Sequence, residues 1–338
     1  MTDTLTIPFD QHNQTASVSG VCDLCRSTAT EEVVEPTIDK YCIVVCRKCQ
    51  LMYASPQLSP EALDNFYDDT FANDPGCRKR VESAFPPEED RKKEENLAEN
   101  WGIKIIKRFI DPQGKRILDL RCRTGALTAI LIGEGAEVLG TEPFQANANF
   151  ARQVRSLSNI IDLPFSRFHQ FPVPKGFPFD AVNVLGHHVL AHVLSPRVLL
   201  ERIFDVLRPG GFLFLDEKDV LHPARHKKQS ALDSGPAHQY HLTLHSTGCY
   251  LRSIGFELLE CEIDKHRISD FRHIRVVARK PEERTTSSGF PHQLKIPGSR
   301  SVEAIQRRLW WLERTWRIRL ARVRYKRKSQ RWLQRFGW

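Results

Sequence analysis

Three groups of residues in this chain have the type and spacing to do chemistry. The first is Cys22-x-x-Cys25 followed, twenty residues on, by Cys46-x-x-Cys49. A CxxC knuckle turns tightly enough to aim two thiolates at one point. Two knuckles on facing hairpins complete a tetrahedral four-sulfur site that suits zinc. Four thiolates leave no open position, so an ion held there is structural. The remaining cysteines (Cys42, Cys77, Cys122, Cys249 and Cys261) are scattered and read as small buried residues; Cys42 is a poorer-spaced substitute ligand. The second group is the stretch RILDLRCRTGAL, Arg116 to Leu127, where an apolar strand runs through Asp119 into a short loop and Thr124-Gly125 opens a helix. Loops of this shape cradle a nucleotide or cofactor and normally carry glycine where Arg121 and Arg123 stand. Glu142, 23 residues after Asp119, falls where an acid accepts hydrogen bonds from a ribose diol. The third group is His187 and His188, with His192 one helical turn on. Histidine is the default proton acceptor near neutrality.

These groups need elements to hold them. Val33–Ile38 and Tyr41–Val45 alternate well enough for short strands between the knuckles, and so small a module draws much of its folding energy from its metal. Ser59 with Pro60 predicts a helix start, with Leu63, Phe66 and Tyr67 on one face. The charged run Glu88–Glu95 reads as a solvated helix face leading into Leu97, Trp101, Ile105 and Phe109 at helical spacing. Asp111–Lys115 stops that helix. From Arg116 to Arg279 strands and helices alternate. Strands are expected at 116–120, 136–142, near 159–163, 179–186, over FLFLDE, and near 257–263 and 273–279. Helices are expected at 125–133, 145–155, over SPRVLLERIFDVLRPGG with a Pro-Gly-Gly stop, and at 246–254 capped by Ser246 and ended by Gly255. Alternation of this kind means a mostly parallel, doubly wound α/β sheet covered on both faces, here with one antiparallel edge strand. Ligands of such sheets lie at the carboxyl ends of the strands, which gathers Asp119, Glu142, Asp162 and the Gly186–His188 segment. The predicted organisation is an N-terminal stretch 1–19, a zinc module 20–56, a helical linker 57–112, the α/β domain 113–280, a linker 281–300 and a tail 301–338.

At this point the chain resembles the class I S-adenosylmethionine-dependent methyltransferases. ILDLRCRTGAL stands where that family carries vLDvGCGtG, VLGTEPF where it carries its ribose-binding acid, and LRPGGFLFL matches its signature before strand five. HHVLAHVLSPRVLL and HQYHLTLHSTGCYLRSIGFEL are similar to two further family segments. The paired CxxC followed by LMYASPQLSPEALDNFYDDTF resembles zinc-headed methyltransferases of bacterial sugar and cell-surface polysaccharide pathways. The resemblance spans about residues 20–280. It implies a Rossmann-like fold and S-adenosylmethionine as cofactor, held by Asp119, the loop with Arg121, Arg123, Thr124 and Gly125, Glu142, Asp162 against the adenine, and Gly186. It also implies structural Zn(2+) on Cys22, Cys25, Cys46 and Cys49. His188 and then His187 are the expected bases, and His192 a structural contact. Two departures stand out. Arginine disfavours positive φ and brings a cation toward a sulfonium, and Ala191 replaces the family's usual glutamate. The reaction implied is methyl transfer to a sugar or glycan precursor, small or lipid-linked. The alternatives are a catalytically silent scaffold of the same fold and a zinc-ribbon nucleic-acid-binding protein.

Composition locates the charge. The chain of 338 residues carries +9, yet residues 301–338 hold twelve Arg and Lys against Glu303 and Glu313, so the body is near neutral. In that tail Val302, Ile305, Leu309, Leu312, Trp316, Leu320 and Val323 follow helical spacing, arginines take the other face, and five of the six tryptophans lie there. A stripe of this kind fits an anionic membrane surface. Docking on a protein partner or a second copy is the alternative, with nucleic acid the poorest fit because no reading surface accompanies the charge. No apolar run reaches the roughly 18 residues of a membrane span, and the N-terminus lacks the basic and apolar regions of a secretory signal. The expected location is cytoplasmic, peripheral on the inner face of the membrane through the tail.

Overall fold

The structure is a computed structural model that describes residues 20–34, 42–70, 85–173, 178–186, 188–223, 238–263, 271–282, 304–305 and 307–308. Its centre is a seven-stranded sheet. Strands β1 (Thr30–Val34), β2 (Cys42–Cys46) and β3 (Met52–Ser55) form a separate small sheet near the N-terminus. The large sheet uses β4 (Arg116–Leu120), β5 (Glu137–Glu142), β6 (Ile160–Asp162), β7 (Phe179–Val184) and β8 (Leu207–Pro223). A two-residue strand β9 (Tyr240–His241) joins the small sheet, and β10 (Glu257–Ile263) and β11 (Phe271–Arg279) complete the large one. The order across the large sheet is β10-β11-β8-β7-β4-β5-β6. Strands β6, β5, β4, β7 and β8 are parallel, whereas β11 runs antiparallel to β8 and β10 antiparallel to β11. One strand, β11, is therefore reversed, and it lies between β8 and the edge strand β10, which points with the parallel set.

The strands are apolar on both faces because both faces are covered. Successive side chains of β4 alternate: Ile117 packs with Trp101, Ile105, Ile106 and Leu131, while Leu118 and Leu120 pack into the opposite layer. Helix α1 (Pro60–Asn65) starts at Ser59, whose hydroxyl accepts from Ala62 N with Pro60 next in line, as the sequence predicts. Next, α2 (Glu88–Leu97) passes through a π-helical turn, Ala98–Gly102, into α3 (Ile103–Lys107). The first layer is closed by α4 (Ala126–Gly133), and α5 (Gln145–Gln153) follows β5. Helix α6 (Pro196–Val206) is capped by Ser195 and buries Leu199, Leu200, Ile203 and Phe204 on one face, each such side chain contributing roughly 1.5–3 kcal/mol. It ends at Val206, before the Pro-Gly-Gly, which already belongs to β8. Finally, α7 (Leu244–Ile254) begins two residues earlier than the sequence suggests. Its N-cap is Thr243, and Ser246 is the reciprocal third residue of a capping box rather than the cap.

The N-terminal knuckles are clamped to the large sheet's layer. Asp23, inside the first CxxC, is 9% exposed; it accepts from Ser195 Oγ (2.6 Å), Arg197 N (3.0 Å) and Tyr250 Oη (2.8 Å). The Arg197 guanidinium returns bonds to the carbonyls of Asp23 and Leu24. On its other side the small sheet runs β1-β2-β3-β9, so a strand from the segment after β8 extends it. Of the tail, Ala304, Ile305, Arg307 and Arg308 are described. Ile305, 2% exposed, packs with Ile43, Val45, Met52, Val220 and Leu221, and Arg308 Nε donates to Leu221 O (3.2 Å). The rest of the tail stripe, His187, Cys77, residues 1–19 and most of the 281–300 linker lie outside the described residues. Among the described residues no helix is long and apolar enough to cross a membrane.

Candidate cofactor cleft and cysteine cluster

The four knuckle cysteines come together. Cys22 Sγ lies 3.4 Å from Cys49 Sγ and Cys25 Sγ 3.5 Å from Cys46 Sγ, and all four sulfurs are within 4.8 Å of one another. These separations are far beyond a disulfide bond. They approach the edge of about 3.8 Å that a tetrahedron with zinc–sulfur bonds near 2.3 Å requires. The donor set fits a structural ion. Its members come from the Cys22–Cys25 turn and the hairpin turn after β2, and hydrogen bonding from Cys22 helps bring the Cys25 thiol down to about 7. Cys42 stands apart, its thiol on the carbonyl of Ser55.

At the switch in strand order, β4 and β7 lie side by side with Asp119 opposite Asn183. Asp119 accepts from Thr128 Oγ1 (2.6 Å) and Asn183 Nδ2 (2.7 Å), and burial raises its carboxyl to about 6. The loop after it keeps a glycine-like backbone without the glycines. Arg121 and Arg123 have φ of 59° and 53°, and Gly125 has 75°. Gly125 also needs its missing side chain, since a Cβ there would meet Leu157 at 2.4 Å. Arginine in the left-handed region costs about 1–2 kcal/mol at each position, so the surrounding contacts must hold it there.

Those contacts are visible. Arg123 N donates to Glu142 Oε2 (3.0 Å), and Thr124 N donates to Glu94 Oε1 (3.1 Å). Arg123 Nε pairs with Glu94 Oε2 at 3.5 Å, and Arg155 Nε holds the carbonyl of Thr124. Glu94 corrects the expectation of a solvated face over 88–95. It is 5% exposed, reaches from α2 into the loop, and burial pushes its carboxyl to about 7. A buried carboxylate inside a charge run leaves no mark in the sequence. A helical-period argument sees only the run.

Glu142 is fully buried, and its remaining oxygen accepts from Phe144 N (3.2 Å) and Asn147 Nδ2 (2.8 Å). The Arg121 guanidinium lies 5.0 Å from the Phe165 ring centre and 5.9 Å from that of Phe144, with Glu142 the leading acidic group acting on it. Nearby, Glu94, Leu97, Trp101, Asp119, Cys122 and Asn183 line a small cleft. Asp162, expected to face an adenine, gives both oxygens to Arg152 on α5 (2.6 and 2.8 Å). Gly186 has φ of 91° and donates its N–H to Asp216 Oδ1.

Beside the carboxyl end of β7 the structure adds residues that the sequence reading missed. Asp216, fully buried on β8, accepts from His273 Nδ1 on β11 (2.5 Å). His188 sits beside them with φ of 41° and ring centre 5.7 Å from that of His273. His192 is hydrogen-bonded through Nδ1 to Tyr67 Oη (2.6 Å), a structural contact as expected. Burial drives both His188 and His192 well below the usual histidine range. Glu217, also buried, accepts from Leu190 N (2.7 Å), so a carboxylate approaches the segment where Ala191 replaces the family's acid. The LDEKD stretch carried the only sequence signal for this group: two adjacent acids at the end of an apolar strand.

A family model described as a methyltransferase domain matches residues 91–261. The chain belongs to the methyltransferase-domain family. Its sheet order and parallel core are the α/β, Rossmann-like architecture expected of that domain. The chain is 33% identical over 133 residues to the tRNA U34 carboxymethyltransferase of Idiomarina loihiensis, covering 35% of this chain and 40% of that protein. It is 31% identical over 106 residues to the human mitochondrial ubiquinone biosynthesis O-methyltransferase, covering 30% and 28%. The chain thus spans half or less of the length of these curated relatives. A solved magnesium protoporphyrin IX methyltransferase from Synechocystis with bound S-adenosylmethionine superposes with a TM-score of 0.42 at 15% identity, over 64% of this chain and 97% of that one.

For the cofactor, the backbone of the loop has the required shape. On the side of the acid of β5, where a nucleoside sits in sheets of this kind, the Arg121 guanidinium lies over the Phe165 and Phe144 rings, and Glu142 accepts from three N–H donors.

Proposed function

We propose that this chain is an S-adenosylmethionine-dependent methyltransferase acting on a small or lipid-linked sugar or glycan precursor, with zinc on the four knuckle cysteines as a structural ion. The observation that carries the reading is the loop backbone: positive φ at residues 121, 123 and 125, abutting Glu142 at the tip of β5, within a methyltransferase domain. The sugar class rests on the resemblance of the zinc-headed front end and on the histidines beside the carboxyl end of β7. On this reading Arg121 leaves the Phe165 slot before the cofactor binds, and His188 faces the acceptor. The tail carries the chain to an anionic membrane surface, and Ile305 and Arg308 anchor its start against β2, β3 and β8.

A second reading is favoured by one observation: Arg121 fills the slot and Glu142 has no unused oxygen. It is a silent scaffold of the same fold. Calorimetric titration with S-adenosylmethionine and S-adenosylhomocysteine separates the two. Micromolar binding by the wild type supports the enzyme. Absent binding that returns in Arg121→Gly supports the scaffold, and absent binding in both overturns cofactor use altogether.

A further inference from the structure

Besides the cysteine cluster, one other set of metal-donor side chains converges in the described structure, and it lies beside the carboxyl end of β7. His188, from the turn after β7, Asp216 on β8 and His273 on β11 each place one ligand atom within 4.8 Å of the other two. The three come from separate elements brought together only by the sheet order β11-β8-β7. Asp216 and His273 are 0% and 1% exposed. The β8–β11 ladder places residue 216 opposite 275 and 217 opposite 274, so the His273 side chain reaches diagonally to the Asp216 carboxylate. Asp216 is fixed from its other side by the Gly186 N–H, which orients the carboxylate toward the histidines. His188 is the least comfortable member. Its backbone is left-handed, and its Nδ1 is buried with no hydrogen-bond partner. A buried imidazole nitrogen left unmatched costs about 1–3 kcal/mol, which a metal–nitrogen bond would remove.

We propose that His188, Asp216 and His273 bind a divalent first-row transition-metal ion beside the carboxyl end of β7. Two imidazoles and one carboxylate form a donor set for zinc, iron(II), manganese or cobalt; calcium and magnesium, which take oxygen ligands, are poorly served. Three protein donors leave positions open, unlike the closed four-sulfur cluster. Lys218, whose charge bears on His188, opposes the ion, and the Asp216 carboxylate among the ligands offsets it. The ion takes the place of the proton between His273 and Asp216, which leaves to solvent. An acceptor hydroxyl at an open position would be acidified. That consequence rests on the methyl-transfer reading, whereas the metal site itself does not.

The test counts ions on the full-length chain. Protein stripped with a chelator is reloaded with zinc, freed of excess and analysed for metal. Two ions per chain are expected for the wild type and one for His188→Gly and Asp216→Asn. The glycine variant suits the left-handed backbone at 188, so folding is preserved, and circular dichroism verifies it. In parallel, cobalt is added to protein holding one equivalent of zinc. It should produce weak visible bands without the intense near-ultraviolet bands of thiolate coordination, and these should vanish in His188→Gly. One ion per wild-type chain, or two ions in the folded His188→Gly variant, would overturn the proposal. Neither result depends on whether S-adenosylmethionine binds.

Discussion

The cysteine cluster and the cofactor loop are both short motifs, but they work through different parts of the residue. In the cluster the side chains are the site. Cys22, Cys25, Cys46 and Cys49 must all be cysteine, and the structure brings all four sulfurs together. In the loop the backbone is the site. Its glycine-like dihedrals are present at Arg121 and Arg123 without glycine, and the Arg121 side chain lies over Phe165 while Arg123 turns to Glu94. A side-chain motif fails when one member is lost. A backbone motif can keep its form while its cavity fills.

The difference is broken most forcefully at the cluster. Cys49→Ser, at a 2% exposed sulfur, removes one of four donors and leaves three crowded thiols without an ion. The expected loss is several kcal/mol, on the order of half the folding contribution of a structural zinc, read as a melting temperature lower by about 10 °C and a missing zinc equivalent. Chelation of the wild type should move the melting temperature the same way. An unchanged melting temperature in both experiments would show that the module is held by its clamp alone. That clamp gives the next largest effect. Asp23→Ala strands Ser195, Arg197 and the buried hydroxyl of Tyr250 at once, for a loss of about 4 kcal/mol. Zinc content should persist, because the thiolates are untouched. Urea denaturation at constant zinc checks it.

The loop responds to pH. Burial raises the Glu94 carboxyl from 4.5 to about 7. A raised folded-state value means the stabilisation is fully present below the unfolded value and is lost as pH climbs through 7. Between pH 4.5 and 7 the wild type should lose on the order of 3 kcal/mol through this group. Asp119, raised to about 6, contributes in the same direction. Glu94→Gln should flatten that slope while keeping the acceptor for Thr124 N. Chemical denaturation of both proteins at pH 5 and pH 8 measures it, and equal slopes would show that Glu94 does not carry the effect.

Much of this architecture was legible because it is written in periodic apolar residues. The strands around Ile117–Leu120 and Phe179–Val184, the Ser59 and Ser195 caps, and the convergence of the two knuckles all follow from local rules. Three things were not legible for one shared reason: each depends on a long-range neighbour. Glu94 sits in a run of charges and is buried only because α2 lies over the loop. Asp216 and His273 meet only because β11 inserts beside β8 rather than following β10 at the edge. The coupling of the zinc module to the large sheet hinges on Asp23, an ordinary residue between two cysteines, and on β9, a strand of two residues. Spacing within a segment locates thiolates. It does not reveal which acid from elsewhere will close over them.

The smallest effect is the most informative about the loop. Arg121→Gly removes about 1–2 kcal/mol of left-handed strain and forfeits the cation stacked 5.0 Å from Phe165, worth about 1 kcal/mol when partly buried. The two nearly cancel, so stability should change by less than about 1 kcal/mol. What changes is the slot between Glu142, Phe144 and Phe165, which the guanidinium no longer crosses. Binding of S-adenosylhomocysteine should then tighten at least about tenfold, near 1.4 kcal/mol, whether the wild type binds it weakly or not measurably. Arg123→Gly serves as the contrast, because Arg123 turns toward Glu94 rather than into the slot and its loss opens no comparable space. Tightening in Arg123→Gly but not in Arg121→Gly would mean that loop strain, not a filled slot, limits the cofactor. Calorimetry on the two variants decides between a cavity effect and a backbone effect.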